Sequence, residues 1–308
     1  MSLKIAVYSP AKNEEHNVAD WCESAWDADE IVLVDTGSND GTQQAAEAAG
    51  VLVAEATISP WRFDVGHNVA LSHVSPSVDI AIPLALDERL WPGWREELER
   101  AWYRGGRQFT YRYLWGNGLE YRHDRIHARH GYVWKYPAHE CVIGPGPKVD
   151  TNLVIEQPGG ESNPRRGDDG PLIHLMLTEN PGDTRAMYYS ARQYYYENKW
   201  TESRALFSEY LASGTTHAQE RSEACRIMSR MVWPDRREAW LLRAASECPQ
   251  RREVWADLIV YYRETGQEGA ARGAAARAGA ITEQTPDNSF HCETWAWDDE
   301  ALGINTSA

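Results

Sequence analysis

IVLVDTGSNDGT, from Ile31 to Thr42, decides the fold, because it joins an apolar run directly to a polar turn that contains two glycines. Its first four residues are branched aliphatics, which is typical of a parallel strand buried on both faces. Asp35 follows that strand, and open α/β sheets bind ligands where their strands end. Gly37 and Gly41 allow a close backbone approach, and we expect Thr42 to cap the next helix. The stretch therefore predicts a nucleotide pocket.

The composition describes an ordinary globular protein. With 308 residues, 42% of them hydrophobic and 25% charged, the chain is long enough for two domains. A net charge of −15 argues against a generic nucleic-acid coat or an anionic membrane as the main partner. The five scattered cysteines indicate neither a disulfide framework nor a zinc knuckle. The sequence has no apolar run long enough for a membrane span and begins without a signal-peptide pattern, so we expect a cytoplasmic location.

One segment departs from this acidic average. Between Arg104 and Lys135 lie seven Lys or Arg residues and three histidines, against only two acids. Two interpretations remain open. The segment is either a strand surface with cross-strand charge pairs, or a site for the phosphates of a donor or an acceptor.

The periodicity of the chain divides it into two parts. Strand-like runs alternate with helical stretches over residues 1–156, which predicts an α/β domain. Residues 157–171 contain four glycines and three prolines, so we assign a linker or loop to 157–175. Beyond the linker the pattern becomes helical, which predicts an all-α domain over residues 176–308.

The helical part contains an internal repeat. Residues 186–214 predict two helices with a turn near Asn198, and similar pairs follow at about 218–248 and 253–281. Their spacing is near the roughly 34-residue period of tetratricopeptide repeats, and three such repeats can stack into a continuous core. An unrelated small helical bundle is the alternative. We interpret the tyrosines of the first pair as packing residues.

Five short motifs occur in a fixed order in the first part: AKNEE (Ala11 to Glu15), VDTGSNDGT (Val34 to Thr42), FDVGHNVAL (Phe63 to Leu71), LALDERL (Leu84 to Leu90) and PAHECV (Pro137 to Val142). In this order they resemble family 2 glycosyltransferases of the GT-A fold, of the type with tetratricopeptide-like helices behind the catalytic domain. The resemblance implies a Rossmann-like α/β GT-A domain followed by an all-α domain. It also implies inverting, metal-assisted transfer of a hexose from a nucleotide sugar, with a UDP-sugar favoured.

The resemblance also implies which residues bind the donor. Lys12, Asn13 and Glu14, together with Asp35 and Asp40, would form the nucleoside pocket. A carboxylate is an acceptor-only group, which suits the imide N–H of the base and the ribose hydroxyls.

His67 stands where the family usually has an arginine that helps to hold the donor. Histidine is mostly neutral at pH 7 and has no guanidinium fork. His67 therefore either contacts the donor or only caps and packs.

The acidic motif departs from the family pattern. Family members usually read L-D-x-D-E, and their carboxylates and Mn²⁺ or Mg²⁺ hold the donor diphosphate. Here Ala85 replaces the first acid, which leaves Asp87 as the candidate metal ligand and Glu88 as a neighbour that orients donor or acceptor. His139 would bind the metal or the diphosphate. Whether a metal is required stays open.

Glu140, Glu88 and Asp87 are the candidates for the general base, and we favour Glu140 slightly. The acceptor is a protein or peptide side chain, a saccharide or a hydroxymethylated DNA base; the sequence does not decide among them. The alternative function is a catalytically decayed glycosyltransferase that recruits a partner through its helical repeats.

Overall fold

The computed structural model describes residues 3–116, 119–159, 169–283 and 292–304. The chain forms two compact units, Met1–Leu172 and Ile173–Ala308. The division between them falls within the segment that we assigned to a linker. In the described ranges, no helix has the length and apolar character needed to cross a membrane.

The first unit contains an eight-stranded mixed sheet with the order β3-β2-β1-β4-β7-β6-β10-β5. Four neighbouring strands of this sheet are parallel, β7 is antiparallel to both of its neighbours, and β10 is parallel to β6. A separate hairpin pairs β8 with β9. The strands are β1 (Ile5–Ala11), β2 (Glu30–Asp35), β3 (Leu52–Glu55), β4 (Ile80–Pro83), β5 (Arg89–Leu90), β6 (Gln108–Trp115), β7 (Leu119–Ala128), β8 (Val133–Lys135), β9 (Cys141–Ile143) and β10 (Lys148–Gln157).

Helices cover both faces of the parallel part of the sheet. Leu33 of β2 joins one apolar cluster, whereas Val32 and Val34 join a second cluster on the opposite face. This double burial explains the continuous aliphatic run and confirms the buried parallel strand. The helices of this unit are α1 (Val18–Ser24), α2 (Thr42–Ala48), α3 (Phe63–His73) and α4 (Trp94–Tyr103).

In the residues that the structure describes, the second unit contains helices and no strand, as predicted, and its main feature is a repeat of helix pairs. The first helices of the pairs begin at Thr184, Ala218 and Arg252, so each pair starts 34 residues after the previous one. This spacing confirms the predicted period. Turns of three residues join the two helices of each pair. The helices are α5 (Gly170–Glu179), α6 (Thr184–Tyr196), α7 (Trp200–Ala212), α8 (Ala218–Arg230), α9 (Pro234–Glu247), α10 (Arg252–Glu264) and α11 (Glu268–Gly279), followed by a short 3-10 helix, Thr294–Trp297.

The start of α5 corrects the predicted loop. The helix begins at Gly170, inside the segment assigned to irregular structure, and Pro171 occupies its first turn. Proline is tolerated there because the first backbone N–H groups of a helix have no intrahelical partner. Residues 160–168 of the predicted loop lie outside the described residues.

Buried charges hold the middle of the repeat together. Arg226 of α8 has no exposed surface and binds three carboxylates, those of Asp257 at 2.7 Å, Glu223 at 2.8 Å and Glu293 at 3.2 Å. Arg251, also fully buried, lies 2.9 Å from Glu223. The core of this unit is therefore partly ionic, which the apolar periodicity did not indicate.

The tyrosines of α6 bear out the packing interpretation only in part. Tyr188 and Tyr189 are buried, and their rings meet at 5.4 Å between centroids. Tyr196, at the end of the helix, is 60% exposed. Packing therefore accounts for the first part of the tyrosine run and not for its end.

Candidate functional site

Asp35 organises the turn after β2. Its carboxylate is 2% exposed and accepts hydrogen bonds from the backbone N–H groups of Ser38 at 3.0 Å and Gly37 at 3.2 Å. The Ser38 hydroxyl and, at 2.9 Å, the Gln43 amide also donate to it. Burial raises the pKa of Asp35, but these hydrogen bonds outweigh it, so the pKa lies below its ordinary value. Asp35 is therefore an ionised acceptor that shapes the turn.

The loop after β1 docks on this turn. The Asn13 N–H donates to the Ser38 hydroxyl oxygen at 2.8 Å, and the Asn39 N–H donates to the Asn13 side-chain oxygen at 2.8 Å. Asn13 has a φ of 57°, a left-handed conformation that asparagine tolerates better than most residues. The Glu14 N–H donates to the Thr42 hydroxyl at 2.7 Å, while Lys12 is exposed. The structure thus brings Lys12, Asn13 and Glu14 next to the Asp35 turn.

Gly41 occupies the N-cap position of the helix α2 and Thr42 lies inside the helix, so the predicted Thr42 cap was wrong. Thr42 is the first helical residue, and its N–H donates to the Asp40 carboxylate at 3.0 Å. The Glu15 N–H donates to the same carboxylate at 3.3 Å. Burial raises the pKa of Asp40, but hydrogen bonds from Thr42 and Glu15 outweigh it and the net pKa is lowered. Asp40 therefore binds protein donors at the start of α2.

The loop after β4 places the acidic motif. Glu88 is 5% exposed, and its two oxygens accept separate hydrogen bonds, from the Tyr113 hydroxyl at 2.8 Å and the Ala85 N–H at 2.9 Å. Burial raises the pKa of Glu88; the Arg125 guanidinium opposes this rise, and Asp87 adds to it. Glu88 is thus held in place by protein donors on both oxygens.

Gln157 connects Asp87 to the same network. Its amide nitrogen donates to Asp87 at 2.7 Å, and its amide oxygen lies 2.9 Å from the Tyr113 hydroxyl, whose single hydrogen is shared between Gln157 and Glu88. Glu88 and Asp87 are therefore joined through two residues, Tyr113 of β6 and Gln157 of β10, that the sequence analysis did not single out.

The FDVGHN motif forms the helix α3 and docks it on the segment that precedes Glu140. Asn68 exchanges two 2.9 Å hydrogen bonds with the backbone of Trp134. The His67 imidazole stacks on the Trp134 indole, with 4.1 Å between ring centroids and 18° between planes. The Phe63 N–H donates to the carbonyl of Pro137 at 3.1 Å. These contacts fix α3 against Trp134 and Pro137, which begins the PAHECV motif.

His67 is a neutral, largely buried side chain. Its Nε2 lies 3.8 Å from a Glu140 carboxylate oxygen. Burial, together with the positive charge of Arg125, lowers its pKa to about 3. The buried Nδ1 of His67 has no hydrogen-bond partner among the described residues. The packing interpretation therefore has direct support in the Trp134 stack, while contact with a donor stays a prediction.

Glu140 and Arg125 form the charged centre of this region. The Glu140 side chain is 10% exposed, and its oxygen lies 3.7 Å from an Arg125 guanidinium nitrogen. Burial lowers the pKa of Arg125, but Glu140, followed by Tyr111 and Glu88, outweighs it, so the net pKa is raised. Arg125 was seen in the sequence only as one residue of the basic segment. Its contact with a candidate base, like the roles of Tyr113 and Gln157, was not predicted from the sequence.

The other charges of the basic segment mostly bind protein acceptors. Arg112 pairs with Glu120 at 2.6 Å across the β6–β7 hairpin. Arg104, Arg122 and Arg129 donate to backbone carbonyl oxygens at 2.8 to 3.0 Å. These contacts favour the structural interpretation of the segment over a phosphate site.

Asp87 and His139 are the residues predicted to bind Mn²⁺ or Mg²⁺. The described part of the chain contains no group of three or more His, Cys, Asp or Glu side chains that could hold an ion. His139 is exposed, with a φ of 49°. Mg²⁺ is commonly bound by one or two carboxylates together with substrate phosphates, and Mn²⁺ favours the same oxygen ligands. Asp87 fits that arrangement, with the donor diphosphate supplying the remaining oxygens.

Comparisons with known proteins give limited likeness. No family model matches the sequence. Glucosyl-3-phosphoglycerate synthase from Mycobacterium tuberculosis, in complex with Mn²⁺, UDP and glucosyl-3-phosphoglycerate, is 24% identical, with a TM-score of 0.31 over 36% of this chain and 44% of that chain. A structure of MamA is 12% identical, with a TM-score of 0.32 over 36% of this chain and 64% of that chain. The chain thus spans less than half of the synthase and less than two thirds of MamA, and these TM-scores are too low to assign either fold to it.

Proposed function

We propose that the first unit is a glycosyltransferase that moves a hexose from a nucleotide sugar, with a UDP-sugar favoured, to an acceptor hydroxyl with inversion. One observation carries this proposal. β2, β1 and β4 are parallel neighbours, so their carboxyl ends share one edge of the sheet. The Asp35 turn follows β2, the Lys12 to Glu14 loop follows β1, and the Asp87–Glu88 loop follows β4. Open α/β sheets bind their ligands at such an edge.

The nucleoside would lie against the turn and the loop that Asp35 and Asn13 hold together. Hydrogen bonds fix this turn and this loop without a ligand. This reduces the conformational entropy that is lost when the nucleoside binds. Asp40 contributes by fixing the start of α2, and the exposed Lys12 is the cation of this loop. His67 would border the donor from α3.

Asp87 would hold the Mn²⁺ or Mg²⁺ together with the donor diphosphate, and His139 is the second candidate ligand. When bound, such an ion neutralises the charge that develops on the leaving diphosphate. Gln157 and Tyr113 keep the Asp87 loop in place through their hydrogen bonds.

Glu140 is the general base in this proposal. One oxygen of the Glu140 carboxylate lies 3.7 Å from an Arg125 nitrogen and 3.8 Å from the His67 Nε2. Glu140 takes the acceptor's proton while the acceptor oxygen bonds to the anomeric carbon. The bond from that carbon to the diphosphate oxygen breaks, and the nucleoside diphosphate leaves with the electron pair.

Release of UDP from UDP-glucose, UDP-galactose and UDP-N-acetylglucosamine tests the proposal, with peptides, saccharides and hydroxymethylated DNA offered as acceptors. We expect Glu140→Gln to reduce turnover about 10²- to 10⁴-fold, the usual contribution of a general base. Glu156→Gln, next to Gln157 on the same strand, is the matched control and keeps wild-type turnover. Release of no nucleotide from any donor by the wild-type protein would refute the proposal and favour the decayed transferase that recruits a partner.

A further inference from the structure

We propose that Gln157 is a positioning residue that orients the carboxylate of Asp87 for the donor complex, with Tyr113 as the anchor of its amide. This inference rests on the proposed function of the site. It starts from two hydrogen bonds, 2.7 Å from the Gln157 nitrogen to Asp87 and 2.9 Å between the Gln157 oxygen and the Tyr113 hydroxyl.

The chemistry of the three groups fixes the direction of both bonds. An ionised Asp87 only accepts hydrogen bonds, so the amide nitrogen of Gln157 has to face it. The amide oxygen then faces Tyr113, whose hydroxyl is the donor. A carboxylate at position 157 has no hydrogen to donate, and a leucine offers neither group. Glutamine is therefore suited to this position because its amide contains both a donor nitrogen and an acceptor oxygen.

The sheet order shows why this link matters for geometry. Asp87 follows β4, Tyr113 lies in β6 and Gln157 ends β10, and β7 and β6 separate β4 from β10 in the sheet. The hydrogen bonds thus join the Asp87 loop to β6 and β10. Neither of these strands pairs with β4, the strand that precedes the loop. Tyr113 is 4% exposed, so its hydroxyl is a fixed reference point rather than a mobile surface group. Asp87 acquires a defined orientation from a rigid part of the sheet.

Glu156 provides a matched comparison one residue earlier in β10. Its carboxylate accepts a 2.9 Å hydrogen bond from the Trp91 indole and takes no part in the contacts between Gln157 and Asp87. Neighbouring residues of a strand point to opposite faces. A substitution at Glu156 thus perturbs the same strand without touching the Asp87 contact.

The test measures Mn²⁺ affinity by electron paramagnetic resonance, with UDP present, for the full chain and its variants. We expect Gln157→Leu to weaken Mn²⁺ binding about 10- to 100-fold, the usual effect of removing a partner that orients a metal ligand. Gln157→Glu, which loses the donor and places a second negative charge beside Asp87, weakens it at least as much. Glu156→Gln leaves the affinity within about twofold of the wild type.

A second variant separates positioning from simple loss of packing. Tyr113→Phe keeps the ring and removes the hydroxyl that anchors Gln157 and also binds Glu88. It leaves the Gln157 amide in contact with Asp87, so it weakens Mn²⁺ binding less than Gln157→Leu does. In the double variant the two effects are not additive, because both act through one chain of contacts. This variant also provides the test if Gln157→Leu fails to fold.

The outcomes distinguish the two proposals. If the wild-type protein binds neither UDP nor Mn²⁺ with UDP, the proposed function fails and the positioning role fails with it. If the wild type binds both, while Gln157→Leu and Tyr113→Phe match it, only the positioning role is overturned.

Discussion

Replacement of Arg226 by methionine tests the ionic core of the second unit. The guanidinium is fully buried and is shared by Glu223, Asp257 and Glu293. Methionine fills much of the same volume but leaves the carboxylates without this charge. Removal of one partner from a buried ion pair generally costs about 3–5 kcal/mol, because the other charge stays buried and uncompensated.

The other contacts of the three acids narrow this range. Glu223 keeps Arg251 at 2.9 Å, and Arg230 lies 3.6 Å from Glu293 and 3.9 Å from Asp257. Each carboxylate thus retains a second arginine, so we place the loss at the lower end, about 3 kcal/mol. That free energy corresponds to a roughly 100-fold larger population of the opened state.

Hydrogen exchange followed by mass spectrometry measures this effect locally. We expect peptides from α8 and α10 to exchange roughly 100-fold faster in Arg226→Met, while peptides from β1 and β2 stay unchanged. Arg230→Met is the matched control, because its side chain is 33% exposed and a pair of that kind contributes only about 0–1 kcal/mol. Exchange in Arg226→Met that rises no more than in Arg230→Met would refute the reasoning.

Three further predictions concern the first unit. Burial lowers the pKa of the fully buried His127 from 6.5 to about 4, so the folded state binds fewer protons than the unfolded state between these pH values. We therefore expect urea unfolding to show roughly 3 kcal/mol of stability lost as the pH falls through this window. His127→Gln is expected to lose much less. Asn68→Ala leaves the backbone N–H and carbonyl of Trp134 without their partner, and we expect thermal unfolding to show a loss of about 2 kcal/mol, whereas Asn68→Asp retains the N–H contact and loses less. Asn13→Ala is expected to weaken UDP binding, measured by calorimetry, more than Asn13→Gly does, because only glycine adopts a φ of 57° without cost; equal affinities would contradict this.

The features that follow from local periodicity were predictable from the sequence. The aliphatic run before Asp35 identified a strand buried on both faces, and the spacing of apolar residues after Ala186 identified the 34-residue helical repeat. Both are properties of neighbouring residues, so one window of sequence contains the whole signal.

The contacts that assemble the site were not predictable in the same way. Arg125, Tyr113 and Gln157 lie in strands far along the chain from Asp87, and only the sheet order brings them together. A tyrosine in a strand of alternating aromatics gives no sign that its hydroxyl binds an acid. The error in the α2 cap has a smaller cause, because Gly41 and Thr42 are adjacent and both residue types are accepted at an N-cap.

Binding of nucleotides is the most direct test of the central claim. A thermal-unfolding series with UDP, GDP, TDP and CMP, each with and without Mn²⁺, detects a site because a ligand at a hundred times its dissociation constant adds about 2.7 kcal/mol of stability. We predict that UDP raises the unfolding temperature, that Mn²⁺ increases this shift, and that Asp87→Asn removes the increase. Absence of a shift with all four nucleotides would contradict the donor site at the carboxyl edge of the sheet.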